Sequence, residues 1–289
     1  MEMPLRNIEG HSEFNIAPDW HEHRLKGISA YIRTKGEERW IGPTIESILD
    51  FFDEIVVTLD NIDRTKDILK GFRSRKIKIF DYPFELKPFG HGYDNCPMNS
   101  VHSFAHYTNW SVSKTIYSHV CRWDGDMVML PSFKKNRDLI LRKNIVRFKG
   151  YDVVTPDFKY MSKHHPFAGP EPRIHKIDKH IFYYQMPLME GLNYQGLKQL
   201  FYLNRWKEFP NLQMQRIVNF FIRTDIKLQE PAFLHMKFLK DWKNKYAKNE
   251  KADWDAPFYK ELSSMGDRGD EICTDIPECT YRIPEEYLI

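Results

Sequence analysis

Between residues 27 and 121 the chain switches repeatedly between buried-strand and helical patterns, and this alternation narrows the fold more than any other feature. Gly27-Ile28-Ser29-Ala30-Tyr31-Ile32 reads as a buried strand, after which Ile41, Ile45, Ile48, Leu49 and Phe52 recur at helical spacing. Ile55-Val56-Val57-Thr58-Leu59 is a second strand, followed by a short helix over 64–72 and a third strand at Ile77-Lys78-Ile79-Phe80. A loop punctuated by Pro83, Pro88, Gly90, Gly92 and Pro97 is long enough to be functional. A helix near 100–113 then leads into the apolar run 115–121. Strands that alternate with helices need crossover connections, so the expected fold class is α/β, with a mostly parallel central sheet and flanking helices on both faces.

After Leu130 the pattern changes. Ser132 is placed to cap a helix running to about residue 144, and short strand-like pieces follow at Ile145-Val146-Arg147-Phe148, Arg173-Ile174-His175 and Ile181-Phe182-Tyr183-Tyr184. Helical stretches are expected near 196–206, 212–223 and 233–246, and the tail from about residue 252 reads as irregular. The expected organisation is an N-terminal extension over 1–26, an α/β domain over 27–190, and a helical C-terminal region with an irregular tail over 191–289, packed on the same domain.

Composition excludes some classes. With 289 residues and 42% hydrophobic content the chain can bury a sizeable core, and a net charge of +3 gives no global argument for a nucleic-acid partner. Lysines do gather at 237, 240, 243, 245, 248 and 251, a pattern of a solvated helix face or, alternatively, of peripheral contact with an anionic membrane. Cys96, Cys121, Cys273 and Cys279 lack the paired spacing of a zinc site or a disulfide framework, and no signal-peptide pattern is read, so a cytoplasmic setting is expected. No apolar stretch approaches the roughly twenty residues that span a bilayer.

The chemistry concentrates at Trp123-Asp124-Gly125-Asp126, where the fourth strand ends. In open α/β sheets ligands bind outside the carboxyl ends of the strands. Two carboxylates there suit a divalent ion shared with a phosphate, and oxygen ligands favour magnesium or manganese over zinc. Gly125 between them allows a sharp turn and the close approach of a bulky partner. Taken alone, Asp-x-Asp is common by chance and most often lies in a solvated turn.

Its context is more specific. Ala30-Tyr31-Ile32-Arg33-Thr34-Lys35-Gly36-Glu37-Glu38, the helix around Thr44-Ile45-Glu46-Ser47-Ile48-Leu49, then Asp53-Glu54-Ile55-Val56-Val57 and Asp60-Asn61-Ile62-Asp63-Arg64-Thr65 lie in order before the Asp-x-Asp. This succession, with Asn109 ahead of the fourth strand, resembles the N-terminal half of family-2-type glycosyltransferases of the GT-A fold. The resemblance covers roughly residues 27–130; Gly36 stands where Asn is usual and Ile62 replaces a small polar residue.

The resemblance implies a GT-A nucleotide-sugar-binding and catalytic domain. A nucleotide-sugar donor, UDP-sugar by default, would lie across the ends of the first strands. Ala30, Tyr31 and Arg33 would line the nucleotide pocket, Asp60 would accept a hydrogen bond from base or ribose, and Asp124 and Gly125 would face the ribose or metal-bound water. Asp126 would ligate Mn2+ or Mg2+. His235, in Phe233-Leu234-His235-Met236-Lys237, resembles the C-terminal histidine that completes many such metal sites, and Lys237 could approach the diphosphate.

An inverting transfer needs a base on the face opposite the leaving group. Asp152, Asp157, Glu171 and Glu190 are the candidates, Glu190 first and Glu171 second, because an Arg-containing strand, an aromatic strand and then Pro187-Leu188-Met189-Glu190 resemble a subgroup whose base follows a histidine; Met189 stands in that histidine's place. The expected activity is transfer of a sugar to a hydroxyl of a glycan or glycoconjugate acceptor. The alternatives are a sugar-nucleotide-type nucleotidyltransferase, for which no Gly-rich phosphate loop is found, and a catalytically silent carbohydrate-binding member of the fold.

Overall fold

The computed structural model describes residues 3–59, 62–88, 93–153, 160–162, 167–185, 190–194, 225–236 and 273–275. Leu25–Thr34 (β1), Glu54–Leu59 (β2), Ile77–Asp81 (β3) and Tyr117–Asp124 (β4) form a parallel array in the spatial order β3-β2-β1-β4. The helices Ile41–Ile48 (α1), Thr65–Gly71 (α2) and Phe104–Ser113 (α3) make the crossovers. Beyond Met127–Met129 (β5), Pro131–Lys134 (α4) and Arg137–Ile140 (α5), the sheet continues through Ile145–Asp152 (β6) and Phe167–Lys176 (β8), with Tyr160–Ser162 (β7) between them in sequence. Ile181–Gln185 (β9) and Glu190–Tyr194 (β10) form an antiparallel pair, Asp225–Lys227 (β11) and Phe233–His235 (β12) join β6, and Cys273–Asp275 (β13) pairs with β7.

The full order of the large sheet is β3-β2-β1-β4-β8-β6-β12-β5, with β11 also on β6. It is parallel through its first four strands and mixed beyond them, because β8 enters antiparallel between β4 and β6 and β5 lies antiparallel to β12. From β1 the chain moves one way to β2 and β3, and β4 lies on β1's other side. The carboxyl ends of β1 and β4 therefore flank a topological switch point, where an open α/β sheet leaves a crevice for a ligand.

Strand alternation divides the side chains between two cores. On one face Ile28, Ala30, Ile32, Val57, Cys121 and Trp123 pack against Ile41, Ile45 and Ile48 of α1, Leu69 of α2 and Phe133 of α4. On the other, Tyr31, Val56 and Val120 pack against Tyr107, Trp110 and Val112 of α3, Phe182 and Tyr183 of β9, and Phe14, Ile16 and Trp20 of the N-terminal extension. Trp110, Trp123 and Tyr93, which the sequence offers as sugar-stacking rings, are all buried in the interior. Cys96 and Cys121 are free and buried.

Several expected elements need correction. The helix expected from Ser132 to residue 144 is two short helices, opened by Pro131 after Leu130 rather than capped by Ser132. The helix expected from residue 100 starts at Phe104, because the Ser103 hydroxyl accepts from the Ala105 amide at 3.2 Å and caps it. Phe233, Leu234 and His235, expected to open a helix, form strand β12 instead: they are held between β6 and β5, and both Phe233 and Leu234 are buried. The helices expected at 196–206 and 212–223 lie outside the described residues, as do 237–246 and the lysine run. In the expected helical C-terminal region the described residues are strands and the short connections beside them, and β11 and β12 belong to the large sheet.

Gly150 on β6 shows how tightly β12 is seated. A Cβ at this position would lie 2.2 Å from Cδ2 of the fully buried Phe233. Gly150→Ala is expected to destabilise the protein by about 1–3 kcal/mol through overpacking. Urea denaturation measures it; an unchanged midpoint would mean that Phe233 can yield without cost.

Candidate active site

The site is built where β1 and β4 end. Their register pairs Arg33 with Asp124 and Tyr31 with Arg122. Residues 31 and 33 of β1 and 122 and 124 of β4 share the sheet face covered by α3 and β9, whereas Ala30 points to the opposite core. The structure therefore brings Arg33 together with Asp124 but does not bring the Ala30 side chain to them. Tyr31 is fully buried, with its hydroxyl 2.6 Å from that of Tyr183. Burial raises both phenols, Tyr183 to about 12, so they stay protonated at neutral pH.

The turn after β4 is clamped by α1. Thr44 Oγ1 donates to the Gly125 carbonyl at 2.9 Å, and Ser47 Oγ accepts the Met129 amide at 2.9 Å. Trp123 Nε1 closes the turn from the other side by donating to the Met127 carbonyl at 2.9 Å. The close partner of Gly125 is the buried Glu37 side chain, whose Cγ would sit 2.9 Å from a Cβ at residue 125. A side chain there would have to displace it.

Asp126, only 3% exposed, faces His235. Its Oδ2 lies 3.6 Å from His235 Nε2, and His235 Nδ1 lies 2.8 Å from Asp152 Oδ1. Backbone pairing fixes this row: the Met236 amide donates to the Asp126 carbonyl at 2.9 Å, the Val153 amide to the His235 carbonyl at 3.0 Å, and β12 registers His235 opposite Asp152. With Nδ1 turned to Asp152, Nε2 is the ring atom presented to Asp126. Two electron-pair donors facing each other in a buried place call for a proton or a cation between them, and a carboxylate behind a ligating imidazole is the usual orienting partner. Among the described residues no cluster of three or more His, Cys, Asp or Glu side chains is arranged to hold a metal ion. The Asp126–His235 pair thus fits a cation only if substrate phosphate and water supply its other ligands, which is how magnesium is commonly held.

Asp124 turns the other way, into a network of guanidinium groups and carboxylates. Arg173 Nη1 donates to its Oδ2 at 3.0 Å, and Arg122 Nε stands 3.7 Å from its Oδ1. Burial alone would raise the Asp124 carboxyl, but Arg173 and then Arg122 override it and hold the group well below the usual carboxylate range. Arg173 Nη2 and Arg122 Nη2 also approach Glu171 Oε2, at 3.3 and 3.6 Å.

Glu190, the other carboxylate singled out from the sequence, is almost enclosed. Its Oε1 lies 2.7 Å from Arg33 Nη1 and 3.7 Å from Arg122 Nη1, and its Oε2 accepts from the Thr108 hydroxyl at 2.6 Å. Thr108 in turn accepts from Arg33 at 2.5 Å. The next residue of α3, Asn109, exchanges two 2.8 Å hydrogen bonds with the backbone of Tyr183 and fastens the β9–β10 hairpin over the site. Glu171, by contrast, has a side chain 48% exposed.

Asp60 and Lys237 lie outside the described residues. In the turn that follows, Asp63 accepts the Thr65 amide at 2.9 Å and the Glu38 amide at 3.0 Å. Of the other histidines, burial lowers His175 to about 3, so it is neutral, and His106 is spent on the Phe14 carbonyl. Sequence reasoning missed Arg122 and Thr108 altogether. The signal for Arg122 was present, since a residue two before Asp124 on a strand shares its face.

Among the described residues no helix is long and apolar enough to cross a membrane. No protein-family model matches the chain, and no curated protein sequence matches it. Among solved structures the chain is similar to S. aureus TarS 1-349, with a TM-score of 0.41 and 14% identity, over 73% of this chain and 60% of that one. The chain thus spans less than two thirds of that structure's length. At this level of similarity, function has to be argued from the site.

Proposed function

We propose that the protein is a metal-dependent glycosyltransferase that moves a sugar from a nucleoside diphosphate donor, UDP-sugar by default, to a hydroxyl of a glycan or glycoconjugate, with inversion. The observation that carries this reading is the row Asp126–His235–Asp152 beside Asp124, at the switch point between β1 and β4. The sequence resemblance over residues 27–130 independently assigns the Asp-x-Asp to a nucleotide-sugar donor.

Asp126 and His235 would hold Mn2+ or Mg2+, and Asp152 would fix the imidazole that ligates it. Bound there, the ion supplies Lewis-acid stabilisation of the charge that develops on the departing diphosphate. Asp124, kept anionic by Arg173 and Arg122, offers acceptor oxygens for a ribose hydroxyl. Gly125, clamped by Thr44 and packed under Glu37, keeps the turn tight enough for both aspartates to serve one ligand. Arg33 stands beside Asp124 at the carboxyl end of β1, with Tyr31 fully buried behind it on the same face.

For the base, the geometry favours Glu171 over Glu190. A base must reach the acceptor hydroxyl with a lone pair to spare. Glu171 is half exposed and, among the described residues, is paired with Arg173 and Arg122. Glu190 is almost enclosed, with Oε1 ion-paired to Arg33 and Oε2 accepting from Thr108.

The test is calorimetric titration with UDP, GDP and dTDP, with and without manganese. Manganese-dependent binding of one nucleotide supports the reading and names the base; no binding by the folded protein removes it. Asp152→Asn is expected to weaken the manganese-dependent affinity about 10–100-fold, the usual cost of losing the group behind a ligating histidine. An unchanged affinity would mean that His235 does not ligate.

A further inference from the structure

Arg122 is poorly satisfied for a guanidinium in so enclosed a place. It reaches Glu190, Glu171 and Asp124, but at 3.7, 3.6 and 3.7 Å, beyond good hydrogen-bond length, and its Nε is buried without a hydrogen-bond partner. The side chain is 26% exposed, so it can be approached from outside. Glu190 sits between it and Arg33, and the fit is imperfect on that side too: Oε1 is 2.7 Å from Arg33 Nη1 yet has no hydrogen bond of proper geometry. A planar guanidinium fork is built for bidentate pairing with carboxylate or phosphate, and buried donors left without acceptors cost stability. The pair of arginines is thus arranged as an anion receptor whose present occupant is a side chain of the same protein.

We propose that Arg122 and Arg33 receive an anionic group, a phosphate or a carboxylate, carried by the acceptor, and that Glu190 is the internal anion that holds the two guanidinium groups in place until the acceptor displaces it. The exchange conserves charge: one anion leaves the pair and one enters. The assignment to the acceptor rests on the transferase reading above. In that reading the donor diphosphate would be neutralised by the divalent cation that Asp126 and His235 would hold, whereas Arg122 faces Glu171 and Glu190, which come from β8 and β10 on the side of the proposed base. An acceptor bearing phosphate or carboxylate groups is therefore the substrate class this site selects.

The test titrates the full-length protein with inorganic phosphate, and separately with UDP plus manganese. Glu190→Gln keeps the side-chain shape and removes the competing charge, so phosphate is expected to bind about tenfold tighter or better than to the wild type. That gain should vanish in the Glu190→Gln, Arg122→Gln double variant, while UDP–manganese affinity stays unchanged in Glu190→Gln. If the Glu190 variant does not fold, Arg122→Gln alone decides, since it should lose the phosphate affinity of the wild type. Phosphate affinity indifferent to Glu190→Gln, or a gain that survives Arg122→Gln, overturns the proposal. A matching change of UDP binding in Glu190→Gln also overturns it, because the two arginines would then serve the donor. Failure of the wild type to bind UDP with the phosphate results intact would instead sink the transferase reading and leave the anion receptor standing.

Discussion

Asp126→Ala is expected to abolish manganese-dependent binding of the donor nucleotide and to lower sugar transfer about a thousandfold or more, with the fold preserved. The size follows from the charge that must be stabilised when the diphosphate leaves: several kcal/mol of that stabilisation would come from a cation held by Asp126, and each 1.4 kcal/mol or so is a factor of ten in rate. The Asp126 carbonyl accepts the Met236 amide at 2.9 Å whatever the side chain, so this backbone link to the end of β12 survives the substitution. Asp126→Asn sharpens the test. The amide keeps the shape of the carboxylate opposite His235 but not its charge, so it should bind manganese nearly as poorly as alanine. Circular dichroism controls for folding, and calorimetry and a donor-hydrolysis assay read the two effects. A folded Asp126→Ala protein that retains manganese-dependent nucleotide binding would remove Asp126 from the site.

How the site was read from the sequence depends on the range of the interactions involved. Strands β1 to β4 were legible because each is a continuous apolar run bounded by helical spacing, and buried parallel strands have that signature. The Asp-x-Asp was legible because a strand's last residues must reach the rim of the sheet. Phe233-Leu234-His235 was misread as helix because three residues carry no usable periodicity; what makes them a strand is the slot between β6 and β5, which neighbouring residues do not reveal. The resemblance singles out His235, while its partnership with Asp152, 83 residues away, has no local signal. The resemblance places Ala30, Tyr31 and Arg33 together in one pocket, although the two-residue period of a strand sends Ala30 to the opposite core. The ion network suffered most. Arg33, Arg122 and Arg173 come from three strands, and their partners Asp124, Glu171 and Glu190 are also scattered, so only the assembled sheet brings them together.

The same network sets the second large effect. Arg173→Met is expected to destabilise the protein by about 3–5 kcal/mol at neutral pH, because it removes the buried partner of a carboxylate and leaves the charge behind. Arg173 is 3% exposed, donates to Asp124 at 3.0 Å and lies with its guanidinium carbon 5.1 Å from the centre of the Phe233 ring. Methionine preserves most of the apolar volume and a favourable contact with that ring, so the loss reports chiefly on charge. The pH dependence identifies the carboxylate responsible. Asp124 is held below its ordinary range in the folded protein despite its burial, so it contributes stability that is present above its unfolded-state value, about 3.9, and is lost as pH falls toward its folded value. Without Arg173, the cost of burial is opposed mainly by Arg122, and the Asp124 carboxyl moves up. The gap in stability between wild type and variant should therefore be widest at neutral pH and narrow as the pH drops through about 4, where the variant's carboxyl takes up a proton and no longer needs a cation. Urea denaturation of both proteins across that range measures it. A gap that stays constant with pH would assign the loss to packing against Phe233 instead, and would free Asp124 from its dependence on Arg173.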